Sequence, residues 1–535
     1  MTIRRRDFLK TGLVAAGASV APELVGQAPR TQPQVPASDL DELTITDLRT
    51  ERKTGPKSAR ELTERYLDRI KEIDKGGPGL NSVIEINPDA LAIAGQLDAE
   101  RGAKGPRGPM HGIPVLIKDN IATADKMETT AGSLALVGSK PPKDSAVAAK
   151  LRAAGAIILG KTNLSEWANF RGDHSTSGWS GRGGLTHNPY ALDRNCSGSS
   201  SGSGAAASAN LCMVAVGTET DGSIVSPSSI NGLVGIKPTV GLVGRSGIVP
   251  ISHTQDTAGP MARTVTDAAI LLTALAGPDA GDPATAGSQA HVADYTRFLD
   301  AGGLRGARLG VVRKLAGFSR HVDKLFDEAL AALKHAGAEV IDPVEVNAIG
   351  KVDEAELQVL LYEFKADLNR YLAEWAPGAP IRTLKDAIEF NIKNSARELP
   401  YFGQETMVKA EEKADLSSTE YQKYLADCRW LSRAEGIDGA MDKLKLDALI
   451  APTDSPAWPT DLVNGDHFSG SSSTVPAVAG YPHVTVPMGF CFGLPVGISF
   501  FGRAWSEGVL IKLAYAFEQL TKARKPPKFL AHVEA

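Results

Sequence analysis

NCSGSSSGSG, residues 195–204, has the composition of a flexible linker, and its reading decides whether the chain is two tethered domains or one. The alternative is a built loop whose serines do chemistry. The flanking sequence discriminates between them. Upstream lie the strand-like HGIPVLIKDNI (111–121), the helix-like Ser145–Ala154 and the strand-like AIILGKTN (156–163). Downstream, a helix start at Ala205–Leu211 leads into strand-like MVAVGTE (213–219). This alternation predicts an α/β fold, a central mixed, partly parallel β-sheet covered by helices on both faces, with 195–204 as an internal loop.

Further out, Ser58–Lys75 and Pro88–Gly102 carry helical apolar spacing. A charged stretch at about 350–445, including EAELQVLLYEF and EGIDGAMDKLKL, reads as a helical insertion. The α/β pattern resumes with DALIAPT (447–453), VTVPMGF (484–490), LPVGISFFGR (494–503) and a helix over Glu507–Leu520. No internal repeat and no Pro/Gly-rich linker interrupts the chain after residue 36. One domain over 41–525 is expected, followed by a tail at 526–535.

The 535 residues, 42% hydrophobic and 22% charged, suffice for a large buried core. A net charge of −4 with dispersed signs gives no electrostatic footprint for nucleic acid, so small neutral partners fit better. Cys196, Cys212, Cys428 and Cys491 form no CxxC pair and no metal-ligand spacing with histidine, which argues against zinc. They are too few for a disulfide scaffold, though a single bridge stays open for an exported chain.

Export is the expectation from the N-terminus, where Arg4, Arg5, Arg6 and Lys10 precede a mildly apolar run, Thr11–Ala21. That pattern resembles a twin-arginine signal over 1–28, with cleavage near Gly26–Ala28 and a flexible spacer over 29–40. The run is shorter than the roughly 20 residues needed to span a bilayer. A periplasmic or extracellular location follows.

Three motifs compete for the chemistry. Gly155, Gly160, Lys161 and Thr162 satisfy the phosphate-loop spacing, but Ala156, Ile157, Ile158 and Leu159 between them prefer an extended strand to a loop curling round an anion. GSSSG (198–202) fits a nucleophile elbow centred on Ser200, yet HNPYALDRN before it is no apolar strand, and His253, His467 and His483 have no recognisable triad context. The third joins Lys118, the serine loop, and Ser223 in GTETDGSI (217–224).

With KTNLSEWANFRG (161–172), INGLVGIKPT (230–239) and GLPVGISFFGR (493–503), these blocks resemble the amidase signature family of serine hydrolases. The resemblance covers nearly the whole chain after about residue 40. It implies a triad of Lys118, a cis-peptide serine at Ser199 and a nucleophile at Ser223, with backbone N–H groups of Thr220, Asp221, Gly222 and Ser223 as the oxyanion hole. Ser199 and Ser223 stand 24 residues apart, as the family's blocks do. No cofactor and no metal is implied.

The residue types suit amide hydrolysis. A lysine buried with little water loses its proton more readily, a hydroxyl can relay a proton by donating and accepting at once, and a Gly-containing turn can aim amides at an oxyanion. Asp119, adjacent on the strand, should point to the opposite face from Lys118. The glycines over 198–204 are expected to tolerate the cis bond.

Against the common GTDTGGSIR pattern this chain has Glu219, Asp221 and Val225. GTETDGSI, SEWANFRG, SGWSGRGG and PISHTQDTAGPMAR most resemble bacterial peptide amidases, implying a small-molecule or peptide amide substrate and release of ammonia. Other expectations left open are a broad aliphatic, aryl or lipid amidase, and an exported binding protein on a degenerate amidase scaffold. The glutamine-hydrolysing component of tRNA-dependent amidotransferases shares the core but works with cytosolic partner proteins; the expected export signal argues against it, and no obligatory protein partner is inferred.

Overall fold

The computed structural model describes residues 35–50 and 58–533. The expected signal at 1–28 and the spacer up to residue 34 lie outside the described residues. Among the described residues thirteen strands follow in chain order: β1 (Val83–Ile86), β2 (Pro114–Lys118), β3 (Ile157–Thr162), β4 (Trp179–Ser180), β5 (Gly184–Leu185), β6 (Val214–Glu219), β7 (Val234–Lys237), β8 (Thr257–Ala262), β9 (Arg308–Val311), β10 (Glu339–Ile341), β11 (Ala448–Pro452), β12 (His483–Cys491) and β13 (Leu494–Phe501). β4 and β5 pair alone. The others form an 11-stranded sheet in the order β1-β3-β2-β6-β8-β7-β12-β13-β11-β9-β10.

The sheet is mixed. β2 runs parallel to β3 and β6, and β9 runs parallel to β10 and β11, while the remaining pairs are antiparallel. PVLIK and IILGKT are buried at every position, as unbroken apolar strands covered on both faces must be. Alternation separates the faces on β12 and β13. Val484, Val486, Val496, Ile498 and Phe500 join Leu510, Ala514 and Phe517 of helix Glu507–Thr521 in the main core. On the other face a Cβ on Gly497 would meet Thr485 Oγ1 and Ser229 Oγ of helix Val225–Ile230, so helices do lie on both faces.

Between β10 and β11 the chain is helical, with Asp353–Trp375 the longest helix and Leu384–Lys393 and Thr419–Arg429 among those packed around it. The stretch read as a tail is docked as far as it is described. Phe529 donates its N–H to the Pro189 carbonyl at 2.9 Å and is buried. All four cysteines are free and buried.

Strands β1, β4, β5, β7, β8, β9 and β10 go beyond those expected from the sequence, because they are short or carry strand breakers. Pro260 sits inside β8, tolerated because only Met261 and Ala262 pair with β7, so its missing N–H breaks no bond on that side. In the serine-rich run the helix starts at Ser201, four residues before the expected Ala205. Its glycines serve close approach: a Cβ on Gly202 would lie 2.3 Å from the Ser82 carbonyl oxygen and 2.5 Å from that of Asn163.

Candidate active site

Three chain segments converge at one end of the sheet. Lys118 is the last residue of β2. Ser199 follows a cis Gly198–Ser199 bond just before helix Ser201–Ser208, and Ser223 lies in the turn between β6 and helix Val225–Ile230. The Ser200 N–H donates to the Ser223 carbonyl at 3.3 Å, tying the two serine loops together.

Lys118 is fully buried, and its Nζ lies 2.7 Å from Ser199 Oγ, 2.9 Å from Thr218 Oγ1 and 3.3 Å from the Thr218 carbonyl oxygen. These partners are all neutral. Burial brings the ammonium down from its ordinary value to about 7, against the opposing pull of Asp256 and Glu219. Asn120 Nδ2 also donates to Thr218 Oγ1 at 2.9 Å and fixes that hydroxyl. Asp119 does turn away, as strand alternation requires, and binds Thr130 and Arg182.

The turn Thr220–Ser223 is held by its carbonyls. The Thr220 carbonyl accepts from Gln255 Nε2 at 3.3 Å, that of Gly222 from the Ser226 N–H at 2.8 Å, and that of Ser223 from the Ser200 N–H. In a trans peptide plane the next N–H points opposite to the carbonyl, so the Asp221 and Ser223 amides face away from these anchors. The Ile224 amide obeys the same geometry and meets Glu219 Oε2 at 2.7 Å, with Val225 N–H at 3.0 Å. Glu219 therefore caps the start of the helix behind Ser223. Gly222 has φ +79°, a left-handed conformation that favours glycine, and a Cβ there would crowd Ser473 Oγ at 3.0 Å.

Asp221 accepts from Thr474 Oγ1 at 2.8 Å, and burial pushes its carboxyl up. Thr220 Oγ1 donates to Asp256 Oδ1 at 2.6 Å. The loops are cross-braced by Ser197 Oγ, 2.7 Å from Ser226 Oγ, which in turn donates to Asp454. Desolvation raises Asp454 to about 7. Sequence alone does not single out Thr218, Gln255, Asp256, Ser226 or Asp454. Thr218 lies in GTETDGSI and Gln255 and Asp256 in PISHTQDTAGPMAR, but only the fold shows that these side chains meet at the site.

The elbow reading of Ser200 is excluded. Its Oγ donates to the Thr218 carbonyl at 3.0 Å and accepts from the Thr218 N–H at 3.2 Å, fully buried. The candidate histidines are engaged elsewhere: His253 with Asp367, His467 with Asp461 and His483 with Ser499. Lys161 lies on β3 and donates to the Ile121 carbonyl at 2.6 Å and Thr129 Oγ1 at 2.9 Å, so its string is a buried strand and no phosphate loop.

A family model described as amidase matches residues 61–511. A probable amidase of Arabidopsis thaliana is 43% identical over 502 residues, covering 92% of each chain. The solved native peptide amidase of Stenotrophomonas maltophilia is 52% identical with a TM-score of 0.87, covering 92% of this chain and 99% of its own. A solved amidase family protein from Bacillus anthracis is 36% identical with a TM-score of 0.83, covering 91% of this chain and 92% of its own. A match of this extent, over a chain that brings together a buried lysine and two serine-bearing loops, makes this protein a member of the amidase family and a hydrolase of amides.

Proposed function

We propose that the protein removes the carboxamide from peptide C-termini as ammonia, through a seryl acyl-enzyme formed by Ser223 with Ser199 and Lys118. One observation carries the mechanism: a fully buried lysine, near neutral in its proton affinity, 2.7 Å from the hydroxyl of Ser199. Neutral Lys118 accepts a proton from Ser199 as Ser199 takes one from Ser223, and Ser223 Oγ attacks the amide carbon. The amides of Asp221 and Ser223 receive the oxyanion, with Thr220 and Gly222 completing the turn. Collapse returns the proton along the same path to the departing nitrogen. Water then hydrolyses the ester and regenerates Ser223.

The peptide-amide substrate is supported by the 52% identity to the Stenotrophomonas peptide amidase across nearly its whole length. Screening ammonia release from peptide amides, aliphatic and aryl amides, lipid amides and glutamine tests it. Peptide amides should be the best substrates, with no cleavage of internal peptide bonds. Equal turnover of simple amides refutes the peptide assignment, and no turnover in any arm returns the chain to a binding role. The Arg4–Arg5–Arg6 motif supports export of the protein; fractionation should place it outside the cytoplasm, and loss of export on replacing Arg5 and Arg6 by Lys checks the motif.

A further inference from the structure

Gln255, which holds the Thr220 carbonyl, also lines a cavity of about 450 Å³ that has none of Lys118, Ser199 or Ser223 in its wall. That volume falls in the range of small-molecule sites, about 300–1,000 Å³. The cavity lies between helix Asp353–Trp375, the segment around Thr419–Arg429 and helix Thr474–Ala479.

Its charges are unbalanced. Arg429 ends helix Thr419–Arg429 and Arg433 follows four residues later, and among the described residues neither makes a salt bridge. Arg433 uses Nε on the Ala479 carbonyl at 3.0 Å and lies over the Tyr481 ring, which leaves its terminal nitrogens available. The third cationic group, His253, is already answered by Asp367 at 2.8 Å and Glu363 at 3.5 Å. Glu363 in turn accepts from Ser252, Thr254 and Tyr421, so this cluster is hydrogen-bonded within itself and offers no open metal site. Val240, Val359, Leu425 and Val478 supply an apolar part of the wall. Arg429 is exposed.

We propose that this cavity binds a small amphipathic carboxylate, its anionic group on Arg429 and Arg433 and its apolar body against Val240, Val359, Leu425 and Val478. Guanidinium forks match the planar carboxylate, and uncompensated cations beside an apolar wall select an anion with a hydrocarbon body over inorganic ions.

Isothermal calorimetry on the full chain carrying Ser223→Ala, with N-acetyl-L-leucine as probe, tests the proposal. Expected is one binding event that persists when peptide amide saturates the catalytic site. It should weaken about tenfold or more in Arg429→Ala and in Arg433→Ala, and vanish for the neutral N-acetyl-L-leucinol. Leu425→Trp, which fills the cavity without removing a charge, should also abolish it. Arg429 is exposed, so its variant folds and keeps the test decisive. No binding at millimolar probe, binding unchanged in both arginine variants, or displacement by peptide amide overturns the proposal.

Discussion

Lys118 Nζ donates to Ser199 Oγ at 2.7 Å, and among the described residues no carboxylate reaches it. Its ammonium is thus buried without a counter-ion in contact, which is why it gives up its proton near neutrality.

The pH profile follows with a definite sign. Below about 7 Lys118 is an ammonium and accepts no proton; above it the amine is free. We expect kcat/KM on a peptide amide to fall about tenfold per unit below that point and level off above it. Titration over roughly pH 5 to 9, with folding monitored, checks this. An acid limb in the ordinary carboxylate range would assign the base to another group.

Ser199, Ser200 and Ser223 should separate cleanly. Ser223→Ala should abolish turnover, and Ser199→Ala should reduce kcat by about 10²–10⁴. Ser200→Ala should keep turnover but lose about 1–3 kcal/mol of stability, because the buried Thr218 N–H loses its acceptor. Kinetics and denaturant melts on the three proteins distinguish relay, brace and nucleophile. Activity lost in Ser200→Ala with the fold intact would contradict the assignment.

Glu219 should matter through the backbone. Glu219→Ala orphans the buried Ile224 and Val225 amides, so kcat should drop with KM little changed, while Glu219→Gln, keeping one carbonyl oxygen for them, restores most of it. A KM effect alone would place Glu219 at the substrate instead.

Lys161→Met should leave kcat unchanged and lower stability by about 1–3 kcal/mol, since the Ile121 carbonyl and Thr129 hydroxyl lose a buried donor. Nucleotides should neither bind nor stabilise wild type in a melting assay.

The parts of the fold legible in the sequence are those whose burial is written locally. PVLIK and IILGKT are continuous apolar runs, and helix Glu507–Thr521 follows its spacing almost to the residue. TAGPMA was illegible because a glycine and a proline disguise a strand whose pairing is decided by neighbours far away in sequence. The positions of Lys118, Ser199 and Ser223 were legible from ordered motifs. Their supports were not: Gln255, Asp256 and Asp454 meet the site only through side-chain contacts across the fold, and no local pattern encodes such contacts.

The sheet order also bears on how the chain reaches this state. β12 pairs with β7, joining Thr485 to Gly235 across half the sequence, and the strands on either side of that seam are made early and late in synthesis. Until His483 and its followers emerge, β7 is an open edge, the kind of surface that recruits strands from other chains. Such distant pairing makes closure slow and its intermediates prone to aggregate. A chain truncated before β12 would carry Lys118, Ser199 and Ser223 in full and should still yield insoluble protein.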